Sequence, residues 1–162
     1  MSAKYLIFGA TGSIGSNLAN KLYSSNHEFH LVSRNKEELK SLSEKLKCTY
    51  TVADVLEDNF IENVKTEISE VKGIAYCVGS IDLKPFKMVK EDDFQKCMKL
   101  NLYSAVEIIK AYQDSLKNNK GSDKYLHAGS LSLAANKSLP VPFKISLLES
   151  NASLMTLRKS IG

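Results

Sequence analysis

Residues 5–15 read YLIFGATGSIG. The first four are apolar, as in a buried strand, and Gly9 ends that run. Behind them Ile14, Leu18 and Leu22 recur at the spacing of one helix face. A glycine-rich turn between a strand and a helix brings backbone N–H groups and the positive end of the helix dipole to an anion. The stretch therefore predicts a strand–loop–helix unit that binds a dinucleotide, the alternative being a merely tight turn.

Short apolar runs alternate with amphipathic segments along the rest of the chain. Strands are predicted at residues 5–8, 28–33, 48–52, 73–78 and 125–128. Helices are predicted near residues 13–25, 39–46, 60–68 and 91–118, and from beyond Pro142 to Gly162. This alternation requires right-handed crossovers between parallel strands. The predicted fold class is α/β, a three-layer αβα doubly wound parallel sheet (Rossmann fold) of about five strands, with residues 1–162 as a single domain.

Composition excludes several classes of protein and partner. The 162 residues are 43% apolar and 25% charged, which is typical of a soluble globular domain. The net charge of +4 is interspersed, so we expect no nucleic-acid partner. No run approaches the roughly 20 apolar residues of a membrane span. Three widely spaced cysteines form no ligand cluster, so we expect no metal and a reduced, cytoplasmic protein.

The end of the second strand indicates which dinucleotide binds. An NAD site usually places an acidic residue there for the ribose hydroxyls, but Val32-Ser33-Arg34-Asn35 contains none. Ser33 can donate a hydrogen bond to a 2′-phosphate, and Arg34 can pair with it. The sequence therefore favours NADP(H) over NAD(H); the alternative is that Arg34 is an ordinary solvated arginine.

Six motifs together make nearly the whole chain similar to the short-chain dehydrogenase/reductase family. They are the glycine loop, Asp54-Val55 after strand three, Gly79 after strand four, Asn101 within Lys-Leu-Asn-Leu, Ser130 within Gly-Ser-Leu-Ser, and the tail Leu157–Gly162. The resemblance implies a cofactor site made by residues Gly9, Thr11, Gly12, Ser13, Ile14, Gly15, Ser33, Arg34, Asp54, Val55, Gly79 and Asn151. It implies hydride transfer between a nicotinamide and a small carbonyl or alcohol substrate.

Two residues are candidates for the catalytic half of that site. The resemblance implies that the Ser130 hydroxyl bonds the substrate carbonyl, with Ser132 as the alternative, and that Asn101 holds a water in a proton relay. Asn101 also shares a predicted apolar helix stripe, so its amide should need partners. The other members of the stripe are Phe94, Met98, Leu102, Ala105, Ile109 and Tyr112. A loop serine and an asparagine satisfied by backbone are the alternatives.

The chain departs from the family at its Tyr-x-x-x-Lys motif. None of the seven tyrosines has Lys four residues on. Counting back from Leu157 puts Leu147 and Asn151 at the two places, and counting forward from Ser130 puts Phe143 and Leu147 there. Neither register supplies a phenol or an ammonium, and His127 and Lys144 are weak substitutes. Because general acid–base assistance contributes about 10²- to 10⁴-fold, we expect weak or lost activity.

The length of the chain leads to expectations about its completeness and its oligomeric state. Family members continue with two more strands and a substrate lid, so the chain is predicted to be a truncated or degenerate member. An uncovered fifth strand is a pairing hazard. We therefore expect a homo-oligomer formed through helices four and five or the edge of strand five. The competing hypotheses are a weak NADP(H)-dependent oxidoreductase, a non-catalytic Rossmann module for nucleotide sensing or partner binding, and a related nucleotide-sugar or carbonyl-modifying enzyme.

Overall fold

The computed structural model describes residues 3–80, 85–119, 125–127, 131–134 and 144–147, the last three segments as backbone. The strands are β1 (Lys4–Phe8), β2 (Phe29–Ser33), β3 (Thr49–Val52), β4 (Val71–Tyr76), β5 (Tyr125–His127), β6 (Leu131–Ala134) and β7 (Lys144–Leu147). The helices are α1 (Ser13–Ser24), α2 (Lys36–Leu46), α3 (Phe60–Glu67), α4 (Glu91–Met98) and α5 (Ser104–Asn118), with a 3₁₀ turn at Phe86–Met88 and a π turn at Lys99–Tyr103.

Five strands form one parallel sheet in the order β3-β2-β1-β4-β5. The central strand, β1, is flanked by β2 and β4, so the chain crosses the sheet in opposite directions on the two sides of β1. Ligands of doubly wound folds bind at such a switch point, outside the carboxyl ends of the strands. The glycine loop leaves β1 at that place.

A hydrophobic core covers each face of this sheet. On one face Phe8 and Tyr76 pack against Phe60 of α3 and Tyr112 of α5. On the other face the core includes Ile7 and Leu31 together with residues of α1 and α2. Helices therefore lie on both sides of a parallel sheet, which confirms the predicted three-layer α/β fold.

One buried polar group lies between β2 and the edge strand β3. The ring of His30 is 2% exposed, and its two nitrogens lie 2.8 Å from the hydroxyl oxygens of Thr49 and Thr51. Burial, with a smaller contribution from the positive charge of Lys4, lowers the pKa of His30 to about 4. The imidazole is therefore neutral at pH 7 and serves the packing of the sheet.

The long helix predicted over residues 91–118 is interrupted by the π turn Lys99–Tyr103. A π turn adds a residue to the helical repeat and so changes the phase of the faces on either side. Phe94 and Met98, before it, are 57% and 40% exposed, whereas Ala105 and Tyr112, after it, are buried. The single buried stripe predicted from the sequence is therefore wrong in its first half.

The helix predicted to run from beyond Pro142 to Gly162 is also wrong where the structure describes it. Residues Lys144–Leu147 form strand β7, which pairs antiparallel with Leu131–Ala134 in a separate two-stranded sheet. The residues concerned are KISL, a run with alternating polar and apolar side chains that suits a strand. In the described parts of the chain, no helix combines the length and the apolar character needed to cross a membrane.

Candidate functional site

The glycine loop is tightly packed against the end of β4. Gly9 has φ +71°, and a Cβ on it would lie 2.7 Å from the carbonyl oxygen of Cys77. A Cβ on Gly15 would overlap the carbonyl oxygen of Gly9. These two positions therefore require glycine for the fold itself. Gly12 differs, because its φ is −69° and a Cβ there would lie 3.3 Å from the Gly9 carbonyl oxygen.

The amino end of α1 follows this loop directly. The first N–H groups of an α-helix have no intrahelical partner, and the N-cap residue Gly12 supplies no side-chain acceptor to cap them. No acidic residue lies in the first turn. The N–H groups of Ser13 and Ile14 and the helix dipole therefore favour an anion.

The amino end of α2 is a useful contrast within the same chain. There the side-chain oxygen of Asn35 accepts hydrogen bonds from the N–H groups of Glu37 and Glu38, at 3.1 and 3.2 Å. Two glutamates also occupy its first turn. Two of the first donors of α2 are thus already satisfied, and the charge around them is negative.

A cavity of about 180 Å³ lies where the carboxyl ends of the central strands meet. Its walls come from the glycine loop, the end of β2, the segment after β3 and the end of β4. Of the residues predicted to bind a cofactor, Gly9, Thr11, Gly12, Ser33, Arg34, Val55 and Gly79 line it. Three more, Ser13, Ile14 and Gly15, lie beside it in the loop and the first turn of α1. The structure therefore brings most of the predicted site together.

Two side-chain pairs border this cavity at the end of β2. The hydroxyl oxygens of Thr11 and Ser33 lie 2.7 Å apart, which joins the glycine loop to the strand. The Nη1 atom of Arg34 lies 3.6 Å from the Oδ2 atom of Asp54. The sequence predicted all four residues for the site but did not predict that they pair with one another.

A wider depression of about 530 Å³ lies between α1 and α2, next to the cavity. It shares Thr11 with the cavity, and its other walls include Ser16, Glu37, Glu38 and Lys45. It is larger than the cavity, but its two glutamates are unfavourable for a phosphate. The smaller cavity, with the glycine loop and the open end of α1, is the better candidate for binding an anionic ligand.

Asn101 lies in the π turn and faces the segment after β4. Its Nδ2 atom donates hydrogen bonds to the carbonyl oxygens of Ser80 and Cys97, at 3.1 and 3.0 Å. A Cβ on Gly79 would lie 3.1 Å from its Oδ1 atom. The amide is half-buried and joins the helix to the end of β4, so the backbone-satisfied alternative for its nitrogen is the one observed.

Two titratable side chains close to the site are held in their neutral forms. The Tyr76 hydroxyl donates to the carbonyl oxygen of Leu100 at 2.6 Å, and burial raises the pKa of this phenol. Burial likewise raises the pKa of the Cys77 thiol to about 11. Cys77 lines the cavity, which sequence reasoning missed; its place near the carboxyl end of the predicted strand 73–78 was the available signal.

The remaining predicted site residues are described only in part or not at all. Ser130 and Asn151 lie outside the described residues, as does Phe143. The alternative to Ser130, Ser132, lies in β6 opposite Ser146 of β7. The predicted roles of Ser130, Ser132 and Asn151 therefore stay predictions.

Several solved structures share the fold of this chain. The structure resembles a short-chain dehydrogenase/reductase from Mycobacterium ulcerans (TM-score 0.67, 17% identity), of which it covers 50% while 78% of this chain is matched. It resembles an alcohol dehydrogenase from Thermococcus sibiricus complexed with 5-hydroxy-NADP (TM-score 0.65, 23% identity), over 74% of this chain and 56% of that one. It also resembles serine dehydrogenase from Escherichia coli (TM-score 0.67, 19% identity), over 78% of this chain and 61% of that one.

These three structures share the fold, and the chain spans about half to three-fifths of their length. Among curated proteins, no sequence matches this chain. The sequence profile described as short chain dehydrogenase matches residues 4–123, which is most of the chain. The chain therefore belongs to the short-chain dehydrogenase family.

Proposed function

We propose that this chain binds NADP(H) in the cavity at the carboxyl ends of its strands. Its family reaction is hydride transfer between the nicotinamide and a small carbonyl or alcohol, with weak or lost activity. The alcohol dehydrogenase from Thermococcus sibiricus, complexed with 5-hydroxy-NADP, is a precedent among proteins of this fold.

The observation that carries the proposal is the difference between the three glycines of the loop. Packing explains Gly9 and Gly15, because a Cβ on either would overlap backbone atoms. At Gly12 the backbone has an ordinary φ, and a Cβ would need a shift of only a few tenths of an ångström. The fold therefore requires glycine less strongly at position 12 than at positions 9 and 15. Gly12 is the N-cap of a helix that faces the cavity, and close approach of a ligand phosphate explains why it is glycine.

The donors around the cavity fit a dinucleotide. The open amino end of α1 suits the pyrophosphate, whereas the capped and acidic end of α2 does not. The cavity is below the roughly 300–1,000 Å³ usual for a small-molecule site, so it accommodates part of the cofactor. Arg34 and Ser33 supply a cation and a hydroxyl for a 2′-phosphate, which supports NADP(H) over NAD(H).

The expectation of weak or lost activity rests on the residues that line the cavity. When bound, NADPH supplies a hydride to a carbonyl carbon, and the protein must supply the proton to the oxygen. Among the described cavity-lining residues none is Tyr, Lys or His, and the Cys77 thiol is neutral at pH 7. The nearby phenol of Tyr76 is buried and donates to a backbone carbonyl. The same observations favour the second candidate function, a nucleotide-sensing module without catalysis.

Calorimetry with NADPH and NADH tests the binding. We expect NADPH to bind with a micromolar Kd and more tightly than NADH. Ser13→Asp should weaken both by at least tenfold, because it places a negative charge beside the pyrophosphate, while a carboxylate in the first turn stabilises the helix. Ser13→Asn is the neutral control of the same shape. Absence of binding below millimolar would contradict the proposal, and tighter binding of NADH would contradict its preference for the 2′-phosphate. A carbonyl-reduction screen then separates a weak enzyme from a sensor.

We also propose that the protein is a cytoplasmic homo-oligomer. Phe94, Met98 and Tyr103, on and beside α4, are 57%, 40% and 53% exposed, and such apolar surface favours association. A second copy of the chain is the proposed partner, through this surface or the edge of β5. A monomeric mass by light scattering at micromolar concentration would contradict the oligomer.

A further inference from the structure

The carboxylate of Asp54 is fixed beside the cation proposed to bind the 2′-phosphate. Its Oδ1 atom accepts a hydrogen bond from the N–H of Leu56 at 3.0 Å, and its Oδ2 atom lies 3.6 Å from Nη1 of Arg34. The Arg34 side chain is 69% exposed, whereas that of Asp54 is 29% exposed. The fixed, partly buried partner is therefore the carboxylate, and the arginine is the group able to move.

The hydroxyl at the same edge is paired as well. Ser33 shares a 2.7 Å hydrogen bond with Thr11. Both groups at the end of β2 that are suited to a 2′-phosphate thus already have partners within the protein. A 2′-phosphate would have to compete with Asp54 for Arg34, whereas a plain ribose hydroxyl would not.

We propose that Asp54 limits the preference of this site for NADPH by competing with the 2′-phosphate for Arg34. The inference rests on the proposed function, since it concerns the same dinucleotide site. Asp54 acts here as a positioning residue through Arg34. Neutralising it should therefore increase the preference for NADPH over NADH.

The expected change in cofactor selectivity follows from the exposure of the ion pair between Arg34 and Asp54. Exposed ion pairs are weak, so releasing Arg34 should raise the selectivity by about three- to fivefold. The change should shrink as salt is added, because exposed charges are screened over about 10 Å at 0.1 M ionic strength.

A double-mutant cycle isolates the coupling. Calorimetry measures Kd for NADPH and NADH with the wild type, Asp54→Asn, Arg34→Met and the double variant, and thermal shift is a second readout. Asn keeps an oxygen for the Leu56 N–H, and Asp54→Ser is a second neutral variant should Asn disturb the fold. Asp58→Asn is the matched control, because Asp58 follows the same strand but pairs with Lys99, at 2.7 Å.

We expect the ratio Kd(NADH)/Kd(NADPH) to rise about three- to fivefold in Asp54→Asn and to stay unchanged in Asp58→Asn. In the Arg34→Met background, adding Asp54→Asn should leave the ratio unchanged. An unchanged ratio in Asp54→Asn would overturn the inference while leaving NADPH binding in place. An equal rise in the Arg34→Met background would also overturn it, since the carboxylate would then act directly on the phosphate. Failure of the wild type to bind either dinucleotide would overturn the proposed function and the inference with it.

Discussion

The hydroxyl of Tyr76 donates a 2.6 Å hydrogen bond to the carbonyl oxygen of Leu100, and this bond ties the end of β4 to the π turn. The Tyr76 side of this bond is fully buried, whereas the Leu100 side is partly buried. It fixes the turn that carries Asn101, whose amide in turn bonds the carbonyl of Ser80 beyond β4. The strand and the helix are therefore joined at two points beside the candidate site.

Tyr76→Phe should lower the free energy of unfolding by about 1–2 kcal/mol. The substitution removes the donor to a partly buried carbonyl oxygen, which costs more than the loss of a fully solvent-exposed hydrogen bond would. Urea unfolding followed by circular dichroism measures the change. Tyr23→Phe is the control, because Tyr23 is 45% exposed and should change stability by less than about 0.5 kcal/mol. An equally small effect at Tyr76 would show that the bond does not stabilise the fold.

The stability of the protein should fall as the pH drops from about 6.5 to about 4. The pKa of His30 is lowered to about 4 by burial, whereas in the unfolded chain it is near 6.5. Between these values the unfolded state binds the extra proton, so acid favours unfolding. The loss over this window is about 2–4 kcal/mol, and it is absent above pH 7.

Urea midpoints measured from pH 7.5 to 4 test this dependence on His30. His30→Gln cannot take up a proton and should flatten the profile, although its stability at pH 7 will be lower. His27→Gln, at an exposed position, is the matched control and should keep the wild-type slope. A wild-type slope in His30→Gln would assign the acid sensitivity to carboxylates instead.

Gly9 and Gly12 should respond in opposite ways to the same substitution. Gly9→Ala places a Cβ 2.7 Å from the Cys77 carbonyl at φ +71°, and should cost about 3 kcal/mol or more in stability. Gly12→Ala should cost less than about 1 kcal/mol, because its Cβ has nearly enough room and its φ is ordinary, but should weaken dinucleotide binding at least tenfold. Unfolding curves and calorimetry on both variants give the two readouts. Unweakened binding in Gly12→Ala would remove the main support for the cofactor site.

The parts of the site that could be predicted from sequence depend on short spacings. The loop around Gly12 was predictable because a strand, a turn and a helix follow one another within a few residues. The pair of Arg34 and Asp54 was not, because it forms between the ends of adjacent strands, 20 positions apart, and depends on side-chain conformations.

The wrong predictions of the buried helix stripe and of the last helix have similar physical causes. Helical spacing alone placed Asn101 on one continuous buried stripe, whereas the π turn divides the helix into two faces of different phase. Its partner, the Ser80 carbonyl, is contributed by a distant segment. Residues 144–147 were predicted as helix because short apolar runs suit either structure, and here strand pairing with residues 131–134 prevails.

Cys77 should report occupancy of the cavity. Burial raises its thiol pKa to about 11, so little thiolate is present at pH 7, whereas Cys97 is exposed. Iodoacetamide should therefore modify Cys97 first and Cys77 slowly, with a rate at Cys77 that keeps rising up to about pH 11.

Because Cys77 lines the cavity, NADPH should slow its alkylation further and leave Cys97 unaffected. Mass spectrometry of the peptides at timed intervals measures both rates. Equal protection of the two cysteines by NADPH would indicate general tightening of the fold, and no protection of Cys77 would mean that the dinucleotide does not enter this cavity.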